Sequence, residues 1–505
     1  MGTNNQKEEG GVAGLGLTRE RLAQEILPAY VTGRRWFSGH GRRLVRLDLD
    51  VVDLVPFPNG GLATWLLLFT AQFAEGAAQS YALFLRRQPA AGRWTLHDGG
   101  AGGGFLVDAV AEDDFCRTLL EQVASAGDLP VGPGRLVGRP TSMLSGLWPR
   151  GPVAVTYPGH EQSHTSVELG DRLLLKVYRQ VQRGTNPEVE MGEYLSIRRE
   201  FPHVARLAGS LTYEDGAGGG VVALGILQER IDATGDAWTR TLEFLERYLT
   251  GRWQDDAGRR NFLTRALAGV ERLGQRVGEL HACLATAKDE PAFAPEPLSG
   301  PEWGAWCQEL AHALQTTADR IEGERRHLPP PLASAWRQAW ARGPQLLAFV
   351  RAAGQTPPSL AKIRIHGDLH LGQVLCTRQD DVVFIDFEGE PGRPLAERRR
   401  KHLPLRDVAG MVRSFGYAAR MARRRWPGPG RAARAAAWER QAVARFLAGY
   451  QRARAEPVDH RSWLACLDLF CLEKVLYECR YEIDHRPDWL EIPVAGLIRQ
   501  LNRLR

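Results

Sequence analysis

Lysine is almost missing from this chain of 505 residues. Only six lysines (Lys7, Lys176, Lys288, Lys362, Lys401 and Lys474) stand against 59 arginines, so a lysine kept inside an apolar run calls for a reason. Cysteine is sparse as well: seven residues form no CxxC pair, and their odd number argues against a full disulfide framework and for a reducing cytoplasm. No stretch approaches the ~20 apolar residues of a membrane span, and the opening MGTNNQKEEGG lacks the apolar core of a signal peptide. Charge of one sign is also in short supply. A net +6 is a mild bias and no nucleic-acid footprint, and the arginine clusters at 398–401 and 423–425 read as solvated faces.

What the chain does have is a change of pattern along its length. Residues 1–16 read as a disordered leader and 17–29 as a short helix. Alternating runs such as VRLDLDVVDLV, TWLLLFTAQF and SYALFLRR then predict a twisted antiparallel sheet. PVGPGRLVGRP, near 130, breaks any element and marks a boundary. Strands surround LLLKVYR and VVALGILQER, with a helix over NPEVEMGEYLSIRREF between them. Beyond 236 helical periodicity dominates to the end. The expected division is therefore 1–16, 17–130, 131–229 and 230–505, with a hinge near Gln228 and Glu229.

One segment gathers chemistry. IRIHGDLHLGQVLCTRQDDVVFIDFEGEPGRP holds His366, Asp368, His370, Gln373, Asp386, Glu388 and Glu390 between two apolar runs, 363–365 and 382–387, which read as the strands of a hairpin. Asp368 precedes Gln373 by five residues and Asp386 by eighteen. Phosphoryl transfer in kinases uses an Asp to accept the substrate proton, an amide a few residues on for one Mg²⁺, and a further Asp for the other. Asp368 is thus the candidate base, with Gln373 and Asp386 the candidate metal ligands through hard oxygens. His370 is placed to reach substrate, and His366 to brace the loop. A zinc reading of the two histidines is disfavoured, because Gly367 and the flanking strands oppose a helix here.

A kinase also needs a cation for the nucleotide phosphates. Lys176, alone among aliphatics in LLLKVYR, fits that need and requires an acidic partner, for which Glu190 is the first choice with Glu188 and Glu193 behind it. The preceding EQSHTSVELGD lacks GxGxxG, so Ser163, Thr165 and Ser166 would donate to phosphates in place of glycines. Gln228 and Glu229 complete the candidate nucleotide contacts. Near the C-terminus, Lys474, Tyr477, Glu478 and Tyr481 share one helical face, with Trp489 beyond. Aromatics beside carboxylates suit a sugar, although such a stripe also packs cores.

Taken together, RRWFSGHGR, EQSHTSVELGDRLLLKVYR, NPEVE, IHGDLHLGQVL, FIDFEGEPGRPLAERRRKHLPLRDVAGMVRSF and LYECRYEIDHRPDW make the chain resemble the bacterial maltokinases, relatives of the aminoglycoside phosphotransferases. The resemblance implies an α+β, bilobal protein-kinase-like fold, with a β-rich N-lobe and a helical C-lobe behind an N-terminal β-rich cap. It implies ATP and Mg²⁺ as cofactors and maltose 1-phosphate as product, with Asp368 as base, Gln373 and Asp386 as ligands, and Lys176 with Glu190 on the phosphates. It also favours Tyr477, Glu478, Tyr481 and Trp489 as sugar contacts, with Glu388, Glu390 or Glu478 as the acid that a glucosamine 2-ammonium would need. Leu369 departs from the usual HGDYH, which keeps glucosamine open as the alternative acceptor. A nucleotide-binding pseudokinase is disfavoured by intact Lys176, Asp368 and Asp386. No nucleic acid or membrane partner is expected; association with a maltose-producing enzyme, and the choice of monomer or dimer, stay open.

Overall fold

The computed structural model describes residues 14–503, apart from 38, 40–41, 59–61, 101–103, 159–163, 217, 219, 287–289, 391 and 455–458. The chain divides into two compact units, the first running to Glu200 and resuming over Ala205–Ile231, the second taking Phe201–Val204 and Asp232–Arg505.

The first unit is built from two antiparallel sheets. One sheet orders the strands Leu44–Val55, Thr64–Phe73, Gln79–Gln88, Phe105–Asp108 and Thr95–Asp98, with Gln180–Val181 added onto Gln79–Gln88. The other orders Asp128–Val131, Gly134–Pro140, Leu207–Asp215, Val221–Glu229, Leu173–Tyr178, His164–Leu169 and Val155–Thr156. The expected boundary at 130/131 falls inside its first strand. Period-two alternation lets Val51, Leu66 and Phe84 of one sheet join Leu136, Leu175 and Leu211 of the other in a single buried core.

Buried polar groups tie the same two sheets together. Arg179 follows the strand Leu173–Tyr178 and places its guanidinium 2.9 Å from Asp108, both side chains fully buried, while Tyr30 donates to Asp108 at 3.0 Å. Such a pair is costly to break, because either partner alone is a buried uncompensated charge. The leader proves shorter than expected: Leu15 is buried, and its carbonyl accepts from Arg87.

The second unit is helical, as the periodicity predicted. Its main helices are Ala237–Thr250, Asp256–Leu284, Gly300–Gly323, Pro330–Trp340, Gly343–Ala353, Leu405–Arg425, Arg431–Ala453, His460–His485 and Glu491–Arg503. The helical run over 330–353 is broken in two, Pro330–Trp340 ending before Gly343, where Pro344 removes a backbone donor. The expected hairpin also differs. Val382–Phe384 pairs with Val374–Thr377 and not with 363–365, whereas Ile363 bridges to His402. Residues 378–381 connect these two strands, and the chemistry-bearing loop therefore precedes the hairpin. No helix among the described residues is long and apolar enough to cross a membrane.

Candidate active site

The loop carrying Asp368 is held by one face of the Leu405–Arg425 helix. Asp407, Gly410 and Ser414 stand at i, i+3 and i+7, so they line up along that face. Asp407 accepts from the backbone N–H of His366 at 2.8 Å and of Gly367 at 2.9 Å. Its second support is His281, whose Nε2 lies 3.1 Å from the same carboxylate. Burial opposes the Asp407 charge, but His281, His366 and the Gly367 N–H hold its pKa below the ordinary value. Gly410 lets the Leu369 carbonyl approach: a Cβ there would stand 2.5 Å from that oxygen. Ser414 accepts from the Leu371 N–H at 3.1 Å. Opposite the helix, His366 donates from Nε2 to the Ile385 carbonyl at 2.9 Å and braces the loop, as its position suggested.

Gly367 takes a left-handed φ of +86°, which turns the chain so that Asp368 faces a cavity of about 190 Å³. Lys474 reaches Asp368 there, Nζ to Oδ1 at 3.2 Å, and also lies over the Tyr477 ring at 4.9 Å. Burial disfavours the ammonium, but Asp368 and Glu390 outweigh it and raise the Lys474 pKa. Glu390 lines the same cavity and is paired to Arg393 at 2.7 Å; burial is overcome by Lys474 and Arg393, and its pKa is lowered. Trp306, Phe470 and Tyr477 supply aromatic wall, and Glu309 and Glu473 further carboxylates. Glu473 is taken by Arg406 at 3.1 Å, whereas Glu309 has no ion pair among the described residues.

Gln373 and Asp386 are brought together: Gln373 Nε2 donates to Asp386 Oδ2 at 2.9 Å. Asp386 is one of few non-glycine residues at positive φ, +68°, a strained conformation of the kind that functional sites retain. The contact runs through the amide nitrogen; with the Gln373 amide turned over, its oxygen beside the Asp386 carboxylate would be a hard donor set of the kind that suits Mg²⁺. His370 caps the short turn Leu371–Gln373, with Nδ1 accepting from the Gly372 N–H at 3.0 Å; burial lowers its pKa. Its Nε2 lies 4.0 Å from Asp368.

In the first unit, Lys176 is buried and paired as expected, but with Glu188 and not with Glu190. Its Nζ lies 2.8 and 2.9 Å from the two Glu188 oxygens. Residues two apart on a helix point in nearly opposite directions, so Glu188, in the first turn after the Asn186 cap, faces the strand while Glu190 does not. Tyr178 donates to Glu188 at 2.7 Å and Gln228 at 3.3 Å, so Gln228 braces the pair. Glu229 is engaged by Arg206 at 2.8 and 2.7 Å. Ser166 is the cross-strand partner of Lys176 and shares its face. Thr165 is corrected: it is buried and accepts from Arg179 at 2.8 Å, an internal brace instead of a phosphate donor. Ser163 lies outside the described residues.

The C-terminal stripe splits. Tyr477 lines the cavity, with burial pushing its pKa up to about 12. Glu478 instead turns to Arg413 at 2.6 Å, and is not a cavity residue. Tyr481 is exposed and stacks between Tyr477 and His485. Trp489 sits under Arg424 and Arg486, away from the cavity wall. Glu388 lies 3.9 Å from Arg398 and does not line the cavity. The residues missed are Trp306, Glu309 and Asp407, which come from other helices, and Glu473, which precedes Lys474 on the stripe's own helix. Lys474 was seen in the stripe, and its rarity as a lysine was the signal that could have promoted it.

The fold is α+β and kinase-like; the second unit carries an acid on a braced loop and an adjoining amide–carboxylate pair, and the first carries a buried strand lysine tied to a helix glutamate. No family model matches the chain. A glucosamine kinase of Mycolicibacterium smegmatis is 30% identical over 344 residues, 67% of this chain and 77% of that protein. One from Streptacidiphilus jiangxiensis is 26% identical over 349 residues, 67% of this chain and 71% of that protein. Among solved structures, a glucosamine kinase crystal form matches with a TM-score of 0.63 at 21% identity, covering 96% of this chain and 100% of that one. A glucosamine kinase in complex with glucosamine, ADP and inorganic phosphate gives 0.60 at 20% identity, covering 93% and 97%. The chain belongs to the glucosamine kinase family, and is a sugar kinase.

Proposed function

We propose that this protein transfers the γ-phosphoryl group of ATP to a hydroxyl of glucosamine. The observation that carries the reading is the cavity at Asp368, where aromatic rings and carboxylates meet around the candidate base. A pyranose ring offers flat apolar faces to Trp306 and Tyr477, and its hydroxyls suit the charged groups between them. A 2-ammonium group needs an anion, and Glu309 is a carboxylate of the wall not already paired among the described residues.

In this mechanism Asp368 accepts the proton of the attacking hydroxyl as its oxygen bonds to the γ-phosphorus and the bond to the β–γ bridging oxygen breaks, ADP leaving with that electron pair. Lys474 fixes the carboxylate for the proton contact. Lys176, held by Glu188, is the cation for the nucleotide phosphates. Gln373 and Asp386 would hold Mg²⁺, which when bound neutralises charge on the phosphate oxygens. The wall around Asp368 keeps the acceptor oriented, and positioning supplies much of the rate.

Maltose, the acceptor that the motifs suggested, has no counterpart among the relatives described above. It is the competing arm of the test. Purified protein is incubated with ATP, Mg²⁺ and glucosamine, glucose or maltose, and NMR locates any new phosphate. Preferential phosphorylation of glucosamine supports the reading; preferential conversion of maltose to its 1-phosphate overturns it. A cytoplasmic location is part of the same proposal, in keeping with seven free cysteines.

A further inference from the structure

Far from Asp368 in the second unit, three helices begin around one groove. They are Pro330–Trp340, Arg431–Ala453 and Glu491–Arg503, and residues of each first turn line the groove. Each helix N-terminus carries roughly half a positive charge. The Arg431 helix opens at Gly430, with φ +69° and no capping side chain, which leaves its first N–H groups without that partner. The prolines of the first helix remove donors there, so it adds dipole and few hydrogen bonds.

The second observation is independent of the helix ends. Arg420 lines the groove and is only 9% exposed, yet forms no ion pair among the described residues. It donates a long hydrogen bond, 3.4 Å, to the Gly416 carbonyl of its own helix. The nearby carboxylates are committed elsewhere: Glu439 to Arg499 at 2.8 and 2.7 Å, and Glu478 to Arg413 at 2.6 Å. Burial, with Arg499 and Arg413 close by, pushes the Arg420 pKa down to about 9. With Arg499 and Arg413 beside it and the nearby acids Glu439 and Glu478 already paired to those two arginines, a buried guanidinium here gains from a further anion.

The remaining rim agrees in sign. Arg423 is exposed and has no ion pair among the described residues, while Arg424 faces Glu491 at 3.8 Å, the acid of the groove. The carbonyl end of the Leu405–Arg425 helix also lies here and is offset by the arginines of its last turn. Trp426, Leu332 and Ile492 supply apolar wall. The groove holds about 430 Å³, against about 190 Å³ at Asp368, so it has room for more than a bare phosphate.

We propose that this groove binds a phosphate monoester of sugar size, with Arg420 and Arg423 on the phosphate and Trp426 against the body. The site is distinct from the one at Asp368 and does not depend on which sugar is phosphorylated.

Calorimetric titration of the full-length protein with glucose 6-phosphate and with inorganic phosphate tests it. Glucose 6-phosphate should bind the Asp368→Asn protein as well as wild type, and at least tenfold more weakly to Arg423→Ser. Arg420→Met should abolish binding; since it alters a buried side chain, Arg423→Ser on the exposed rim keeps the test valid if that protein fails to fold. Binding lost in Asp368→Asn and kept in Arg423→Ser would place the phosphate at the active site and overturn the proposal. So would the absence of heat at millimolar ligand, or binding of inorganic phosphate alone. Duplex DNA binding that depends on Arg423, without sugar phosphate binding, would replace it with a polyanion surface.

Discussion

Lys474 reaches across 106 positions of sequence to Asp368, Nζ to Oδ1 at 3.2 Å. The ammonium stands beside the carboxylate proposed to receive the proton and lines the same cavity. Removing it leaves Asp368 less firmly placed and the developing phosphoryl charge less balanced. Lys474→Met should lower kcat by about 10²-fold, with a smaller change in the KM for ATP, and Lys474→Arg should recover part of the loss. Steady-state kinetics on both variants check this. An unchanged kcat in Lys474→Met would make the pair merely structural. Asp368→Asn should lose roughly 10³-fold under the same assay.

Support for the loop gives a prediction of a different kind. A methyl at position 410 would sit 2.5 Å from the Leu369 carbonyl oxygen, too close for any Cβ. Gly410→Ala should therefore push the loop off its helix, with turnover falling more steeply than stability. Asp407→Asn puts an amide donor among groups that already donate, the N–H groups of His366 and Gly367. About 3 kcal/mol of stability should go with it. Urea melts beside kinetics separate the two effects.

In the first unit, Lys176 and Glu188 form a buried pair, with side chains 6% and 1% exposed. Either charge alone in that setting costs about 3–5 kcal/mol, whereas losing both together costs much less. Lys176→Met and Glu188→Leu should each destabilise strongly, and the double variant should be more stable than either single one. All three should lose ATP-dependent turnover, while Glu190→Gln should retain most of it. A double-mutant cycle by urea unfolding, run with the kinetics, decides between Glu188 and Glu190.

These examples show what the sequence made legible. The buried pairing of Lys176 and the meeting of Gln373 with Asp386 could be read because each carries its signal within a short window: a lone charge in a strand, or spacing within a loop. The helical second unit followed from periodicity in the same way. Glu188 was misassigned because a window shows which acids lie nearby but not where the helix begins; Asn186 and Pro187 set that phase. Trp306, Glu309 and Asp407 were invisible for a deeper reason. Each is one polar or aromatic residue on an ordinary amphipathic helix, and only tertiary packing brings it to the loop. Thr165 was lost to the same blindness, since Arg179, itself paired to Asp108, claims it from within the core.

One pH effect follows from His402. Burial, with Arg406 and Arg393 nearby, lowers its pKa from 6.5 to about 3. Between those values the unfolded chain holds a proton that the folded protein does not, so stability must rise with pH across the window and fall as acid is added. One such proton gives a slope of about 1.4 kcal/mol per pH unit. His402→Gln should remove that contribution. Urea midpoints for both proteins at pH 7, 6, 5 and 4 should therefore converge toward acid, and parallel curves would show that His402 titrates normally.

The choice of acceptor turns on Glu309. It stands on the Gly300–Gly323 helix at the cavity wall, and unlike Glu390 and Glu473 it has no arginine or lysine partner among the described residues. A neutral sugar has no particular use for such a charge, since hydroxyls can be met by the paired groups already present. An ammonium group does, and gains a charge-assisted hydrogen bond that an amide cannot match. Glu309→Gln keeps the shape and removes only the charge. The KM for glucosamine should rise about tenfold, with kcat and the kcat/KM for glucose nearly unchanged, because one exposed charged contact of this kind is worth about 1.4 kcal/mol. Equal losses for both sugars would mean that Glu309 shapes the wall and that the ammonium group is met elsewhere.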